Sequence, residues 1–429
     1  AGQRDWAAAV LCLRARDGRL FELPAQAPAQ ASSGERAPGV AAGRDISGQV
    51  IASEIKGDIY ISAGPQLAIP PPPEPQRPPE TPGFTGRASE LAYFSARLAE
   101  QHLLAITGMA GVGKTALAAH LARQAAPADR IFWHSFRERQ GIDVVVRLLA
   151  GFLARHGQDD LWRTLESARL SGGQAPPVEE NFNQLVQSLR GRGYLLCLDD
   201  FHYVADDPLA ALLIQRLTDL LAADGLALLI TSNEQIGFLP SMELAGLSQA
   251  DAARLLQEHG LQLDGNVLDE LHRQTQGNAK LIFLAIDALR HGLQPALLIA
   301  ELAQIDNIRA YLIRQVDASL SEGERAIMSA LAILLGRPAS REAIEALSEN
   351  DDAQRILDEL ASRHLVAVQR RGPGRVYDQH VFVQAFYYDR LNKRRRQDLH
   401  RRAGQFYQTE EQDALAAAEQ YARAGDHAQ

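Results

Sequence analysis

Lysine is nearly absent from this sequence: of 44 basic residues in the 429-residue chain only four are lysines, so each asks for a reason. Cysteine is as scarce. Cys12 and Cys197 cannot build a disulfide framework or a cysteine zinc site, and Cys197 lies inside an apolar run, which fits a reducing, cytoplasmic setting. No apolar run approaches the ~18–20 residues of a membrane span, so no membrane partner is expected. An excess of positive charge is missing too: the formal net charge of −9 argues against a generic nucleic-acid coat or a membrane-surface protein. No signal peptide is visible, and the chain opens on Ala1 rather than methionine, as a processed or excised product would. What is present is ordinary for a globular protein, with 46% hydrophobic and 23% charged residues, and the length implies two to four packed units at roughly 100–200 residues each.

Residues 1–43 are too poor in large apolar side chains to offset their ordering entropy and read as a flexible segment. Residues 44–63 carry partial period-two alternation around Gly57-Asp58, the pattern of a small hairpin or edge strand. Residues 64–83 are proline-rich and read as an extended, semi-rigid spacer, the clearest domain boundary in the chain. Short unalternated apolar runs then alternate with amphipathic stretches over 84–235, which predicts a parallel sheet with crossover helices. Residues 236–305 and 306–400 are almost wholly helical, interrupted only by a β-like stretch over 365–379 that turns at Gly372-Pro373-Gly374; residues 401–429 end in alanine-rich helix.

One lysine has an evident reason. "GMAGVGKT" (108–115) satisfies G-x-x-x-x-G-K-[ST] and lies directly after a buried strand and before a helix. Its glycines let the backbone turn so that successive N–H groups, from Gly108 through Gly111, Val112, Gly113, Lys114, Thr115 and Ala116, point inward at phosphate, and the helix N-terminus adds its positive end. Lys114 reaches in as a compact ammonium where a planar guanidinium would not fit, and Thr115 places its hydroxyl on Mg²⁺. "YLLCLDD" (194–200) supplies a second strand ending in carboxylates: Asp199 to hold Mg²⁺ through water, and Asp200, with Lys114, for catalysis, orienting or deprotonating an attacking water. "LLITSNE" (228–234) ends another buried strand in Thr231, Ser232 and Asn233, which either sense a γ-phosphate or cap the strand.

In this order the pieces resemble the STAND class of P-loop NTPases, in particular its NB-ARC-like branch of signalling switches. "FTGRASEL" (84–91) looks like the entry motif that wraps the adenine, which implies nucleotide contacts for Phe84, Thr85, Gly86 and Arg87. "GMAGVGKT" is similar to the Walker A motif of that class and "YLLCLDD" to its Walker B. "MELAGLSQADAARLLQ" and "QTQGNAKLIFLAI" look like its small helical domain, and residues 320–391 like its winged-helix domain. His380 falls where family members place a histidine on the ADP β-phosphate. The chain departs from the pattern at Ala279, where proline is usual, at Val381, where aspartate is common, and at Asn233, where many members carry arginine. Lacking that cation in cis, the domain is expected to hydrolyse ATP slowly.

The resemblance implies a switch in which bound ADP holds a closed form and exchange for ATP releases the winged helix for self-assembly. "ALAAAEQYARAGDHAQ" is similar to the opening of a tetratricopeptide repeat; since one unit cannot bury its own face, the protein is expected to continue past Gln429 into a repeat sensor for a protein or ligand. Two alternatives stand beside this: a DNA-binding transcriptional regulator, for which "NKRRRQDLHRR" offers a basic face against an acidic whole, and a metabolic or transport ATPase with steady turnover.

Overall fold

Four apolar runs become β1 (Leu103–Thr107), β2 (Ile131–Ser135), β3 (Leu195–Asp199) and β4 (Ala227–Ser232), and a short β5 (Ser241–Glu243) joins them. In the computed structural model, which describes residues 68–138, 140–171, 176–221, 225–302, 307–372 and 374–425, all five pair in parallel in the order β2-β3-β4-β1-β5. The described residues all belong to one unit, Pro65–Gln429, and the expectations for residues 1–63 fall outside them.

The strands are apolar along their length because both faces are covered. Leu104, Ile106, Cys197 and Leu229 point to the face covered by α1 (Ala88–Gln101) and α2 (Lys114–Ala125). Ala105, Leu196, Leu198, Leu228 and Ile230 point to the face covered by α3 (Ile142–Arg155), α4 (Asp160–Ser171), α5 (Val178–Leu189) and α6 (Pro208–Thr218). Because β4 is inserted between β1 and β3, the carboxyl ends of all three strands open on one crevice, the place where parallel sheets bind ligands.

The proline-rich segment is extended, as its prolines require, yet from residue 68 it is not a free spacer. Its carbonyls, which proline leaves available, accept from Trp162 Nε1 (Pro70, 3.1 Å), Arg155 Nη2 (Pro72, 2.8 Å) and Arg123 Nη2 (Pro78, 3.0 Å). Gln76 makes an antiparallel bridge to Trp133, so the strap also lies along β2, the sheet's outer strand.

Beyond the sheet come α7 (Gln249–Glu258), α8 (Gly265–Thr275), α9 (Ala279–Arg290) and α10 (Pro295–Leu302), started by side-chain caps at Ser248 for α7 and Asn278 for α9. Next are α11 (Ile308–Ser319) and three helices, α12 (Glu322–Ile333), α13 (Arg341–Ser348) and α14 (Ala353–Ser362), α12 opening with a Ser321/Glu324 capping box. Strands β6 (Ala339–Ser340), β7 (Val366–Arg371) and β8 (Gly374–Gln379) form an antiparallel sheet in the order β6-β8-β7. The chain then runs through α15 (Val381–Arg390), α16 (Lys393–Thr409) and α17 (Ala414–Ala424). Gly404 lets α16 and α17 approach: a Cβ there would lie 2.8 Å from the Tyr421 ring.

Two expected boundaries shift. The sheet continues past residue 235, because β5 pairs with β1; three residues of mixed character gave no apolar run to notice. The boundary at 400/401 falls inside α16, whose helical pattern is continuous across it. A single apolar core runs from Leu247 to Tyr421, distinct from the two cores on the faces of the parallel sheet. The helices from α7 to α17 therefore pack as one body.

Candidate nucleotide-binding site

The loop between β1 and α2 has the shape its glycines allow. Gly113 starts α2 with φ of 107°, a conformation that would strain any other residue, and so turns the helix N-terminus toward the crevice. Lys114 folds back over the loop, its Nζ donating to the carbonyls of Gly108 (3.0 Å) and Met109 (3.1 Å) and to Oδ1 of Asn233 (2.7 Å). Burial pulls its pKa down from the ordinary lysine range, with Asp200 and Asp199 opposing.

Thr115 and Asp199, from opposite sides of β4, meet directly: Thr115 Oγ1 donates to Asp199 Oδ1 at 2.8 Å. Thr231 donates to the same oxygen at 2.6 Å and Ser135 to Oδ2 at 3.0 Å. Burial pushes Asp199 upward while these hydroxyls and Lys114 hold it down. A hydroxyl beside a carboxylate, both hard oxygen donors, is a set that suits Mg²⁺, which takes few protein ligands and completes its shell with water and phosphate. Thr231, expected at the nucleotide, instead positions Asp199; its hydroxyl also accepts from the Asp200 N–H at 3.0 Å. Ser232 is turned away, bonded to the Glu234 carbonyl at 2.6 Å.

Asp200 adopts φ of 55° and lines the cavity. Burial and Asp199 push it up to about 8, Lys114 opposing. Beside it stands His202, whose Nε2 lies 2.9 Å from Nδ2 of Asn233. Because that amide nitrogen donates, Nε2 accepts and Nδ1 carries the proton, 4.0 Å from Asp200. Asn233 thus links Lys114 to His202.

The entry motif braces more than it displays. Phe84 stacks on His120 at 4.1 Å between ring centres, and Thr85 donates to Glu258 of α7. Arg87, 3% exposed, spends its guanidinium on the carbonyls of Val112 (3.0 Å) and Ala245 (2.8 Å) and on Glu90 (2.9 Å), so it supports the phosphate loop instead of presenting charge to a ligand.

Three residues from the helical body reach the loop, Asn278 and His380 by side chain and Lys280 by its backbone. Asn278, the N-cap of α9, donates to the Ala110 carbonyl at 2.9 Å, and the backbone N–H of Lys280 donates to Gly111 at 3.0 Å. The Lys280 ammonium meets the His364 carbonyl at 2.5 Å and is lowered by burial to about 8, Asp287 opposing. His380 caps α15, its Nδ1 accepting from Phe382 N–H at 3.3 Å. The ring's proton is therefore on Nε2, which lies beside the loop: a Cβ added at Gly111 would be 3.3 Å from it. Burial, reinforced by Lys280 and Lys114, takes His380 down to about 3, so it acts as a neutral donor. Asn278 and Lys280 were not anticipated as site residues; "GNAK" gives only a helix start, although Lys280 is another of the rare lysines.

Phe84, Gly111, Lys114, Thr115, Asp199, Asp200, His202, Asn233, Lys280 and His380 line one cavity of about 1,080 Å³, at the upper end for a small-molecule site and roomy enough for a nucleoside triphosphate. Residues 83–230 match the AAA ATPase domain family. This segment is an AAA-type P-loop ATPase domain. No curated protein sequence matches the chain. Among solved structures it is similar to a STAND protein with a tetratricopeptide repeat sensor from Pyrococcus horikoshii, at TM-score 0.63 and 20% identity over 85% of this chain and 50% of that one. The chain thus spans about half the length of that protein and shares its fold. More distant are the Aeropyrum pernix ORC1 protein in complex with DNA (TM-score 0.38, 18% identity, 72% and 93% covered) and a Walker-type ATPase of Pyrococcus abyssi (0.38, 13%, 71% and 95%). Among the described residues no helix is long and apolar enough to cross a membrane.

Proposed function

We propose that this chain is the core of a nucleotide-controlled signalling switch of the STAND type, holding ADP in the arrangement described and assembling when ATP replaces it. One observation carries the reading: a single cavity is walled by the phosphate loop, by the start of α9 and by His380 after β8. A nucleotide there touches both the ATPase domain and the helical body, so its phosphates can bias how the two are held together.

In this reading the loop amides and Lys114 bind the α- and β-phosphates, and the Nε2–H of His380 donates to the β-phosphate from the opposite wall. The cavity between Phe84 and His364 takes the base. Mg²⁺ held by Thr115, and through water by Asp199, would offset phosphate charge. Asp200 orients and deprotonates the attacking water. With Asn233 where an arginine would stabilise the transferring phosphoryl group, hydrolysis is slow unless a neighbouring subunit supplies a cation. The α16–α17 pair is the opening of a repeat region through which a protein or ligand signal enters.

The DNA-binding alternative meets an electrostatic obstacle. In a winged helix α14 would face the groove, yet it is exposed with Asp358 and Glu359 and preceded by Asp351 and Asp352, against one arginine at 355. The decisive experiment is mass spectrometry of nucleotide released on denaturing the purified chain, with its solution mass measured with and without excess ATP. Retained ADP and a monomer that grows on ATP support the switch. An empty site that binds neither nucleotide removes it.

A further inference from the structure

The carboxylate of Asp378 has no place in the binding scheme above, yet the fold delivers it to the nucleotide cavity. At the end of β8, Asp378 lines the cavity together with the Gln379 and His380 that follow it, whereas Tyr377 before it is buried at 1% exposure and does not. There it stands within electrostatic reach of Asp200 and Tyr203 from the end of β3. Its hydrogen bond is to the N–H of the adjacent Gln379, at 2.7 Å, and Arg137 beyond β2 is the cation that acts on it. Burial pushes it up to about 6, while Arg137 holds it down. Two residues further on, roughly 6–7 Å of extended chain, His380 lies beside Gly111.

The wall made by this segment therefore has two ends of opposite character. A neutral N–H donor faces the loop that holds the inner phosphates. A carboxylate lies within electrostatic reach of Asp200, on the side where a third phosphate would extend in the proposed binding scheme. We propose that Asp378 makes the closed site select a nucleoside diphosphate over a triphosphate, a γ-phosphate beside Asp200 and the seated β8 segment excluding each other. This rests on the reading that the cavity binds adenine nucleotides, and it adds the element which distinguishes the two. ATP can then bind tightly only when β8 withdraws, which couples the γ-phosphate to the position of the helical body. The contact is repulsive, the usual way to reject a ligand that shares every other feature with the accepted one.

The test is calorimetric titration of the nucleotide-free 429-residue chain with ADP and with ATP, both in Mg²⁺, for the native chain, Asp378→Asn and Asp378→Ser. Both variants keep an oxygen that can receive the Gln379 N–H. The native chain is expected to prefer ADP. The variants should gain about tenfold or more in ATP affinity, the scale of one removed like-charge contact in a partly buried site, with ADP affinity changed less than about threefold. The ADP titration also reports that each variant is folded. An ATP-to-ADP affinity ratio that stays at the native value in both variants overturns the proposal, as does an equal gain for both nucleotides. A native chain that binds neither nucleotide overturns the functional reading itself, a result distinct from either.

Discussion

Arg363, at the end of α14, makes a bidentate pair with Asp287 of α9, both bonds at 2.8 Å, and also reaches Glu324 at 3.1 Å and Ser319 at 2.7 Å. The side chains are 12%, 3% and 11% exposed for Arg363, Asp287 and Glu324, so the network is dry. Replacing Arg363 by Met keeps the stem and leaves Asp287 buried without its guanidinium. Breaking such a pair from one side costs about 3–5 kcal/mol. His291, with Nδ1 3.4 Å from Asp287, can replace part of the interaction, so the lower end of that range is expected. The assay is urea unfolding followed by circular dichroism, to which the helices of both parts contribute, and by tryptophan fluorescence, in which Trp133 and Trp162 report the ATPase domain, so the part of the dichroism change not matched by fluorescence belongs to the helical body. The helical transition should move to lower urea by about 3 kcal/mol, and Asp287→Asn added to Arg363→Met should recover part of the loss. A loss under about 1 kcal/mol in the helical transition would refute the reasoning, and with it the claim that α9 and α14 are clamped into one body.

Lys114→Ala removes the ammonium that closes the phosphate loop; ADP affinity should fall at least tenfold in calorimetry while the circular dichroism spectrum is unchanged. Gly111→Ala, at φ of 82°, would put a Cβ 2.9 Å from Asn278 Oδ1 and 3.0 Å from Lys280 Cβ, so the start of α9 must lift from the loop; retained ADP in the purified protein should drop sharply. Gly246→Ala would press a Cβ to 1.9 Å from the Gln276 carbonyl and should lower the helical transition by roughly 2–4 kcal/mol, read by the same urea titration. Removal of Mg²⁺ with EDTA should abolish ATP hydrolysis, and Thr115→Val should reproduce that loss at saturating Mg²⁺.

The parts of this site that could be read from the sequence are those made locally. A glycine-rich turn between an apolar run and a helix specifies its own backbone shape, and the LLCLDD strand announces a carboxylate at a sheet's carboxyl edge whichever strands flank it. Thr231 illustrates the limit: its place on a strand end was readable, but that its hydroxyl serves Asp199 and not phosphate depends on β4 lying between β1 and β3. Asn278, Lys280 and Asp378 were beyond reach for the same reason at longer range, since they approach residues 110, 111 and 200 only after the helical body docks. The strap was misjudged because proline predicts extension well and says nothing of what Arg155, Arg123 and Trp162 do with the carbonyls. His380 was placed through family resemblance, and no periodicity or spacing would have singled it out.

Where the chain can hinge follows from how its cores are divided. The helical body shares one apolar core from Leu247 to Tyr421, so separating its parts would expose buried leucines at about 25 cal/mol per Å², added to the loss of the Arg363 pair. Between that body and the ATPase domain no common apolar cluster is found among the described residues. At the loop the seam is polar: Asn278 to Ala110, Lys280 N–H to Gly111, and Thr85 to Glu258 from the entry motif. Each such bond is worth about 0.5–1.5 kcal/mol net, so these three together amount to about 1.5–4.5 kcal/mol. Carrying a two-state equilibrium from 1:99 to 99:1 takes about 5.5 kcal/mol of differential binding. A polar seam of this size is within reach of a nucleotide that gains or loses the His380 contact and meets or avoids Asp378, whereas a seam made of packed leucines would not be. On the proposed switch the hinge is expected between β5 and α7, with the helices from α7 onward travelling together and not with the sheet. A pair of fluorophores on α4 and α14 should change separation on exchanging ADP for ATP, while a pair on α9 and α14 should not. The opposite pattern would place the hinge inside the core from Leu247 to Tyr421 and defeat this account.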